Sequence, residues 1–267
     1  MDTLERLAKV ATRSRLVEFV FAGGLPIIGY CLAIATVSEL EAIWLMMLVT
    51  GLTGFHILAF NDACFKPGRN IRNLLGMHIV GLGMLYVVVW QQGHHAAVIA
   101  LALMVVNWDL YAWAGKRHWF PSILHHCIGG ALHVGAGYLF ASSDWRSAAM
   151  YGLYFGLAMA GAAMHHEAID IDEDRDGGYR TGAVRFGMRW WFFCGAIPMT
   201  VAHLILTREG TIFETTMVSA FLCYGILLVL FAARGINHQH AMVFRMCCRI
   251  TYGIAGAVYL YLRVRGL

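Results

Sequence analysis

The chain has 267 residues, of which 59% are apolar and only 13% are charged. This composition excludes a soluble globular domain, since a water-exposed surface on a chain of this size needs roughly a quarter of its residues charged, and it also excludes intrinsic disorder. The net charge of +4 is too small to indicate a nucleic-acid-binding protein.

The apolar residues are grouped in runs that are long enough to cross a lipid bilayer. A spanning helix needs about 20 predominantly apolar residues, so the chain has room for roughly eight to ten crossings and almost no extramembrane domain. The first run has no small-residue cleavage pattern and is interpreted as a permanent span rather than a signal peptide. The sequence thus predicts an all-α, polytopic membrane protein, a single domain over residues 1–267 with about nine transmembrane helices. The predicted spans are 17–37, 43–60, 74–90, 96–113, 122–141, 147–165, 190–207, 214–233 and 246–263.

The basic residues predict how these helices are oriented. If the chain begins in the cytoplasm, most of its 20 Lys and Arg residues fall on the cytoplasmic side, as the positive-inside rule requires. The connections on the opposite side are short, whereas residues 61–73 and 165–189 are longer and rich in ionisable groups. We therefore expect a multi-pass protein with a cytoplasmic N-terminus, in the cell membrane if the organism is a prokaryote, with its chemistry at the cytoplasmic face.

Polar residues near the ends of the second and fourth spans are the first functional candidates. Residues 61–69 read NDACFKPGR, and residues 111–121 read YAWAGKRHWFP. Asp109 lies inside the fourth span, and an ionisable residue in a span is a functional candidate by default, either to activate a substrate or to pair with Lys116. His56, in the second span, is interpreted as a buried histidine that bonds to a neighbouring helix.

The densest cluster of charge follows the sixth span, where residues 170–176 contain four aspartates and one glutamate. Residues three and four apart share a helix face, so Glu167, Asp170 and Asp174 form one row of carboxylates, which we call the acidic stripe. Carboxylates that converge at a membrane interface repel one another unless a cation bridges them, and hard oxygen ligands suit Mg²⁺. The segment is therefore either a divalent-metal site or a solvated acidic loop balanced by nearby arginines. The other acidic side chains are expected to point elsewhere: Asp172, Glu173 and Asp176.

Residues 165–187, HHEAIDIDEDRDGGYRTGAVRFG, resemble the second aspartate-rich motif of the UbiA superfamily of intramembrane prenyltransferases. Two further segments agree with this resemblance. Asn61 and Asp62 match the pair that opens the family's first motif after the second span. Tyr111 and the Lys116–Arg117 pair match a pattern that follows the fourth span. The matching positions of the second motif are Glu167, Asp170, Asp174, Gly178, Thr181, Val184 and Gly187.

The resemblance implies both a fold and an activity. The helices are expected to surround a central cavity that opens to the cytoplasmic side and to contact membrane lipid. The implied reaction is Mg²⁺-dependent transfer of an isoprenyl group from an isoprenyl diphosphate to an aromatic or other lipophilic acceptor, with release of pyrophosphate. The implied metal ligands are Asp62, Glu167, Asp170 and Asp174. The implied catalytic residues are Asp62, Asp170, Asp174 and Tyr111. The implied substrate-binding residues are Asn61, Lys66, Arg69, Lys116, Arg117 and Arg180.

The first motif departs from the family pattern, which has two further aspartates where this chain has Phe65 and Arg69. Three interpretations stay open. The enzyme holds fewer Mg²⁺ ions, with Lys66 and Arg69 neutralising part of the diphosphate. Alternatively, the site is adapted to terpene cyclisation of an isoprenyl diphosphate, or the chain is a non-catalytic relative.

Two other classes of membrane protein fit the sequence less well than a prenyltransferase. The 13 histidines suggest a histidine-metal membrane oxidase, but such enzymes need HxxxH and HxxHH spacings, and neither occurs in the sequence. A transporter is expected to show broken helices and inverted repeats around the midplane rather than a carboxylate cluster at one face.

Overall fold

The computed structural model describes residues 16–34, 43–65, 72–206 and 211–265, and the regular structure of these ranges is helical apart from one isolated β-bridge. The predicted all-α fold is confirmed. A short 3₁₀ turn, Gly115–Arg117, connects α4 to α5. The α-helices are α1 (Leu16–Ala33), α2 (Ile43–Phe65), α3 (Arg72–Gln91), α4 (His95–Trp113), α5 (Trp119–Ala141), α6 (Trp145–Ile169), α7 (Ile171–Asp176), α8 (Gly182–Phe186), α9 (Met188–Cys194), α10 (Ala196–Leu206), α11 (Ile212–Arg234) and α12 (His238–Val264).

The outer surface of the bundle is apolar, as a bilayer requires. Large apolar side chains such as Trp44, Met84, Leu222 and Val229 are mostly exposed, which water would penalise and lipid does not. Over the described residues, six segments are long and apolar enough to cross a membrane. They are Ile43–Asn61, His95–Trp113, Trp145–Ile169, Met188–Leu206, Ile212–Arg234 and His238–Arg263. The protein is therefore a multi-pass membrane protein, whereas the total of nine spans and the cytoplasmic N-terminus stay predictions.

The predicted span 190–207 corresponds to two consecutive helices, α9 ending at Cys194 and α10 beginning at Ala196, and Gly195 between them keeps helical φ and ψ angles of −60° and −21°, so that Met188–Leu206 remains one span. Gly195 packs directly against α6. A Cβ atom added to Gly195 would lie 2.8 Å from Cε1 of His165 and 3.0 Å from the carbonyl oxygen of Gly161. The two backbones approach so closely that only a residue without a side chain fits at this point.

Helix α5 lies at the centre of the bundle and packs closely against α1 and α6. Lipid gives helices little hydrophobic reason to associate, so close packing of small residues matters more than in water. A Cβ atom on Gly137 of α5 would lie 1.9 Å from the carbonyl oxygen of Pro26 in α1. A Cβ atom on Gly156 of α6 would lie 2.3 Å from the carbonyl oxygen of Cys127 in α5. These glycines let the three backbones touch.

Buried histidines connect helices on the other side of α6. Nε2 of His203 in α10 lies 3.1 Å from the hydroxyl of Tyr154 in α6. Nε2 of His165 in α6 lies 3.0 Å from the hydroxyl of Tyr224 in α11. Polar side chains bonded across helices stabilise membrane bundles, so these two histidines are accounted for by helix packing.

Candidate active site

The acidic stripe lies where α6 ends and α7 begins. The spacing of the stripe is compatible with one continuous helix, but the structure interrupts the helix at Asp170, whose ψ angle is 10°. Helical hydrogen bonding nevertheless crosses the interruption, because the Asp174 N–H donates to the Asp170 carbonyl oxygen at 2.8 Å. The three carboxylates of the stripe therefore stay at the same end of the bundle.

Glu167 is buried, and both of its carboxylate oxygens accept hydrogen bonds. Oε1 accepts one from the Ser122 hydroxyl at 2.7 Å. Oε2 accepts two, from Nε1 of Trp191 at 2.7 Å and from the Gly182 N–H at 3.1 Å. A buried carboxylate is costly unless donors satisfy it, and these three do so. Glu167 therefore joins α6 to α5, α8 and α9.

The segment after α7 folds back onto the start of α5. The strand-like residue Arg180 forms an isolated parallel bridge with His118, which directly precedes α5. The rings of Trp119 and Trp191 meet edge to face, with centroids 5.8 Å apart. Gly182 permits this packing, since a Cβ atom there would lie 2.0 Å from the Trp191 ring. The structure thus brings together residues 111–121 and 165–187, which are two of the three sequence segments that carry the family resemblance.

Tyr111 lies beside the acidic stripe, on the side of α4 that faces α5. Its phenol lies near Ser122 and within electrostatic range of all three carboxylates of the stripe. Its ring meets that of His126 edge to face, with centroids 4.9 Å apart. The sequence signal of a tyrosine after the fourth span therefore corresponds to a residue next to the carboxylates.

Asp170 and Asp174 differ in their surroundings. The Asp174 side chain is completely buried. That of Asp170 is 29% exposed, with Oδ2 at 3.4 Å from Nδ1 of His166 one turn earlier. The remaining acidic side chains point outward and are exposed, as the sequence predicts: Asp172, Glu173 and Asp176. The stripe is therefore held inside the protein, and the alternative of a freely solvated acidic loop does not describe Glu167 or Asp174.

The residues of the stripe fit a magnesium ion only in part. Over the described ranges, no group of three or more His, Cys, Asp or Glu side chains is placed to hold one ion. The oxygens of Glu167 are already used by three donors. Asp170 and Asp174 supply the hard carboxylate oxygens that Mg²⁺ prefers, and Mg²⁺ is commonly held by one or two carboxylates together with substrate phosphates. These two aspartates are the part of the donor set that fits.

The other predicted site residues are only partly described. Arg117 and Arg180 are exposed, and Asn61 is half-buried near the end of α2. The Oδ1 atom of Asn61 is buried and has no hydrogen-bond partner in the described part of the chain. The remaining predictions fall outside it, either as whole residues (Lys66 and Arg69) or as side chains (Asp62 and Lys116).

A second polar pair lies between α2 and α4. Nε2 of His56 is 3.5 Å from Oδ2 of Asp109. The prediction that His56 bonds to a neighbouring helix is confirmed. On the far side of α4, Nδ1 of His125 lies 2.9 Å from Oδ1 of Asn107, which joins α4 to α5.

Sequence reasoning missed Ser122, Gly182 and Trp191 as partners of Glu167. Their contacts cross 45, 15 and 24 residues of sequence, and no spacing rule predicts pairs of that kind. Two of these partners lie close to the acidic segment in the sequence. Gly182 follows it, and Trp191 lies at the start of the next predicted span, but neither position indicates a contact with Glu167.

Comparisons with known proteins bear on the fold. No family model matches the sequence, and no curated protein matches it. A solved structure described as that of digeranylgeranylglyceryl phosphate synthase in membranes is similar, with a TM-score of 0.67. The two chains are 16% identical, and the match covers 98% of this chain and 99% of that chain. At this level of identity the likeness shows that the two proteins share a fold along nearly their whole length.

Proposed function

We propose that the protein is an intramembrane prenyltransferase of the UbiA type. It transfers an isoprenyl group from an isoprenyl diphosphate to a lipophilic acceptor and releases pyrophosphate. The observation that carries this proposal is the acidic stripe, which lies beside Tyr111 at one end of an apolar bundle and in which Glu167 and Asp174 are buried. The shared fold with a membrane-embedded synthase supports it. An apolar bundle also suits a long isoprenoid chain, which can lie among its helices without being transferred into water.

In the proposed site, Asp170 and Asp174 are the described residues that would hold Mg²⁺, and Asp62 joins them on the evidence of the sequence motif. Mg²⁺ bound there supplies positive charge that stabilises the diphosphate as a leaving group. Glu167 has a different role from the metal ligand that the resemblance implies. Its three hydrogen bonds hold the chain after α7 against α5, and this contact positions the two aspartates.

The basic residues around the stripe are proposed to bind the diphosphate. Arginine and lysine bind a diphosphate more tightly as negative charge develops on it. They therefore stabilise the transition state of ionisation more than the bound substrate. Arg180 belongs to the segment that follows α7, and its backbone pairs with that of His118. The sequence adds four more basic residues and the neutral amide of one asparagine: Lys66, Arg69, Lys116, Arg117 and Asn61.

Tyr111 is proposed to stabilise the allylic carbocation that forms as the diphosphate leaves. The face of its ring carries partial negative charge, and its position beside the stripe supports an interaction with the reacting carbon. The surrounding apolar helices keep water from the cation, so that the acceptor attacks it instead. The new bond forms to the allylic carbon, and the electron pair of the broken C–O bond leaves with pyrophosphate.

The test is incubation of the purified protein, reconstituted in lipid, with isoprenyl diphosphates of several chain lengths, Mg²⁺ and candidate acceptors. The proposal predicts pyrophosphate release that requires both Mg²⁺ and an acceptor. The altered first motif favours terpene cyclisation as the second candidate, which would release pyrophosphate together with a cyclic hydrocarbon and without an acceptor. No release under any condition would support a non-catalytic relative.

A further inference from the structure

His56, which is buried, and Asp109, whose side chain is 29% exposed, form a polar pair that the proposed diphosphate site does not use. His56 is 1% exposed, and its Nε2 lies 3.5 Å from Oδ2 of Asp109. The ring of His56 also stacks on that of Phe60, one turn later in α2. With Asp109 accepting from Nε2–H, the neutral imidazole has its basic lone pair on Nδ1.

The outer atoms of this pair have unused hydrogen-bonding capacity. Nδ1 of His56 and Oδ1 of Asp109 are both buried, and neither has a hydrogen-bond partner within the ranges that the structure describes. His203, another buried histidine, shows the usual arrangement, since its two nitrogens face the Tyr154 hydroxyl and the Met199 carbonyl oxygen. Buried polar atoms in proteins are nearly always bonded. Nδ1 of His165 is likewise without a partner in the described ranges, whereas at His56 and Asp109 two such atoms belong to one pair, which indicates a place for a polar group that is not part of the chain.

The position of the pair indicates which group that is. His56 precedes Asp62 by six residues in α2, which is about 9 Å along a helix axis. Asp109 precedes Tyr111 by two residues and lies within electrostatic range of Cys64 near the end of α2. The pair is therefore near the proposed diphosphate site but further into the span Ile43–Asn61. The carboxylate of Asp109 would repel a diphosphate, whereas a neutral group that donates an O–H to Nδ1 fits both position and charge.

We propose that His56 is a catalytic residue that accepts the proton of a hydroxyl-bearing acceptor, such as a lipophilic phenol or alcohol, and that Asp109 is a positioning residue that holds its imidazole. This inference rests on the proposed function and assigns the acceptor class of the same site. The acceptor O–H bond breaks, and its proton passes to Nδ1 of His56. The electron pair left on the oxygen, or on the conjugated ring carbon of a phenol, forms the new bond to the allylic carbon. When a ring carbon attacks, its C–H proton is then lost and the oxygen is protonated again, which restores the aromatic phenol. The C–O bond to the diphosphate breaks, and its electron pair leaves with pyrophosphate. Asp109 stabilises the imidazolium that results.

The test compares His56→Gln and Asp109→Asn with the unchanged protein, using isoprenyl diphosphate, Mg²⁺ and a series of para-substituted alkylphenols of increasing acidity. A general base contributes roughly 100-fold or more to such a step, so we expect both variants to lower kcat for transfer about 100-fold with the least acidic phenol. The loss should shrink along the series, because an acidic phenol needs less help to lose its proton. The dissociation constant for the isoprenyl diphosphate should stay within about twofold, since the pair does not contact the diphosphate.

His203→Gln is the matched control, because it replaces a buried histidine that is bonded to a neighbouring helix and lies on the far side of α6. Thermal unfolding of all three variants separates loss of fold from loss of chemistry. Equal loss of kcat across the phenol series, parallel loss of diphosphate binding, or full activity of both variants would overturn the inference and leave the proposed function intact. Absence of acceptor-dependent transfer by the unchanged protein would instead overturn the proposed function, and this inference with it.

Discussion

The carboxylate of Glu167 accepts three hydrogen bonds, and this geometry determines what its replacement does. Glu167→Gln keeps the shape of the side chain. The amide oxygen can accept from Trp191 and Gly182, and the amide nitrogen can donate to the Ser122 hydroxyl. Glu167→Ala leaves three donors without an acceptor, and we expect it to lower the free energy of unfolding by about 3 kcal/mol. Chemical denaturation in detergent micelles measures both variants, and Glu167→Gln should differ from the unchanged protein by less than about 1 kcal/mol.

Trp191→Phe is a control for this role, because it removes one donor and leaves the aromatic packing against Gly182. We expect it to cost about 1 kcal/mol. The assay for pyrophosphate release then distinguishes an anchor from a metal ligand. If Glu167→Gln unfolds like the unchanged protein and yet needs far more Mg²⁺ for activity, Glu167 is a ligand and the assignment is wrong.

Asp170 and Asp174 are expected to be indispensable for the reaction. Replacing either by Asn keeps its size and removes the negative charge that Mg²⁺ requires, so kcat for transfer should fall by at least about 100-fold. Glu173→Gln and Asp176→Asn are matched controls, since these side chains are exposed and belong to the same segment. Activity that falls equally in the controls would show that the segment acts through its total charge and not through a metal site.

At the scale of the residue, the sequence predicts which side chains carry charge but not which atoms they meet. The three-and-four spacing of Glu167, Asp170 and Asp174 predicts that they share one helix face, whereas in the structure Glu167 lies in α6, Asp174 lies in α7 and Asp170 lies between the two helices. It does not predict that Glu167 is satisfied by Trp191, because that contact depends on how α9 packs against α6. The His56 contact with a neighbouring helix is predictable, since a buried histidine needs a partner, whereas the choice of Asp109 is not.

At the scale of the element, the glycines of α5 decide how closely the helices approach. Gly137→Ala places a Cβ atom 1.9 Å from the carbonyl oxygen of Pro26, so α1 and α5 must move apart. We expect a loss of about 2 kcal/mol in the free energy of unfolding. Gly253→Ala in α12 is the control, because a Cβ atom there meets nothing within 4 Å, and its effect should lie within about 1 kcal/mol. Equal stability of the two variants would contradict the packing described for α5.

The hydropathy of the sequence predicts where most of the helices lie, because long apolar runs have few alternatives to a spanning helix. The close contact of the span 190–207 with α6 is not predictable in this way. Gly195 is one glycine among 29, and only the structure shows that α6 lies directly against it. The sequence does not predict the interruption at Asp170 either, since the spacing of the stripe is compatible with one continuous helix.

At the scale of the whole molecule, the predicted orientation places the acidic stripe at the cytoplasmic end of the bundle. The distribution of Lys and Arg supports a cytoplasmic N-terminus, and the turn between α5 and α6 then lies outside. Single cysteines at Ser143 and Asp176, both exposed, test this in a background that lacks the exposed Cys64 and Cys223. A membrane-impermeant maleimide added to intact cells should label Ser143→Cys and not Asp176→Cys. The reverse pattern would show that the orientation is inverted.

The central claim is that Asp170 and Asp174 hold the diphosphate end of an isoprenoid through Mg²⁺. The most direct measurement is an experimental structure with Mg²⁺ and a non-hydrolysable isoprenyl thiodiphosphate. We expect a metal ion within about 2.1 Å of an oxygen of each aspartate and of the diphosphate, with the isoprenoid chain among the helices and the hydrogen bonds of Glu167 intact. A diphosphate bound elsewhere, or bound without either aspartate, would contradict the account.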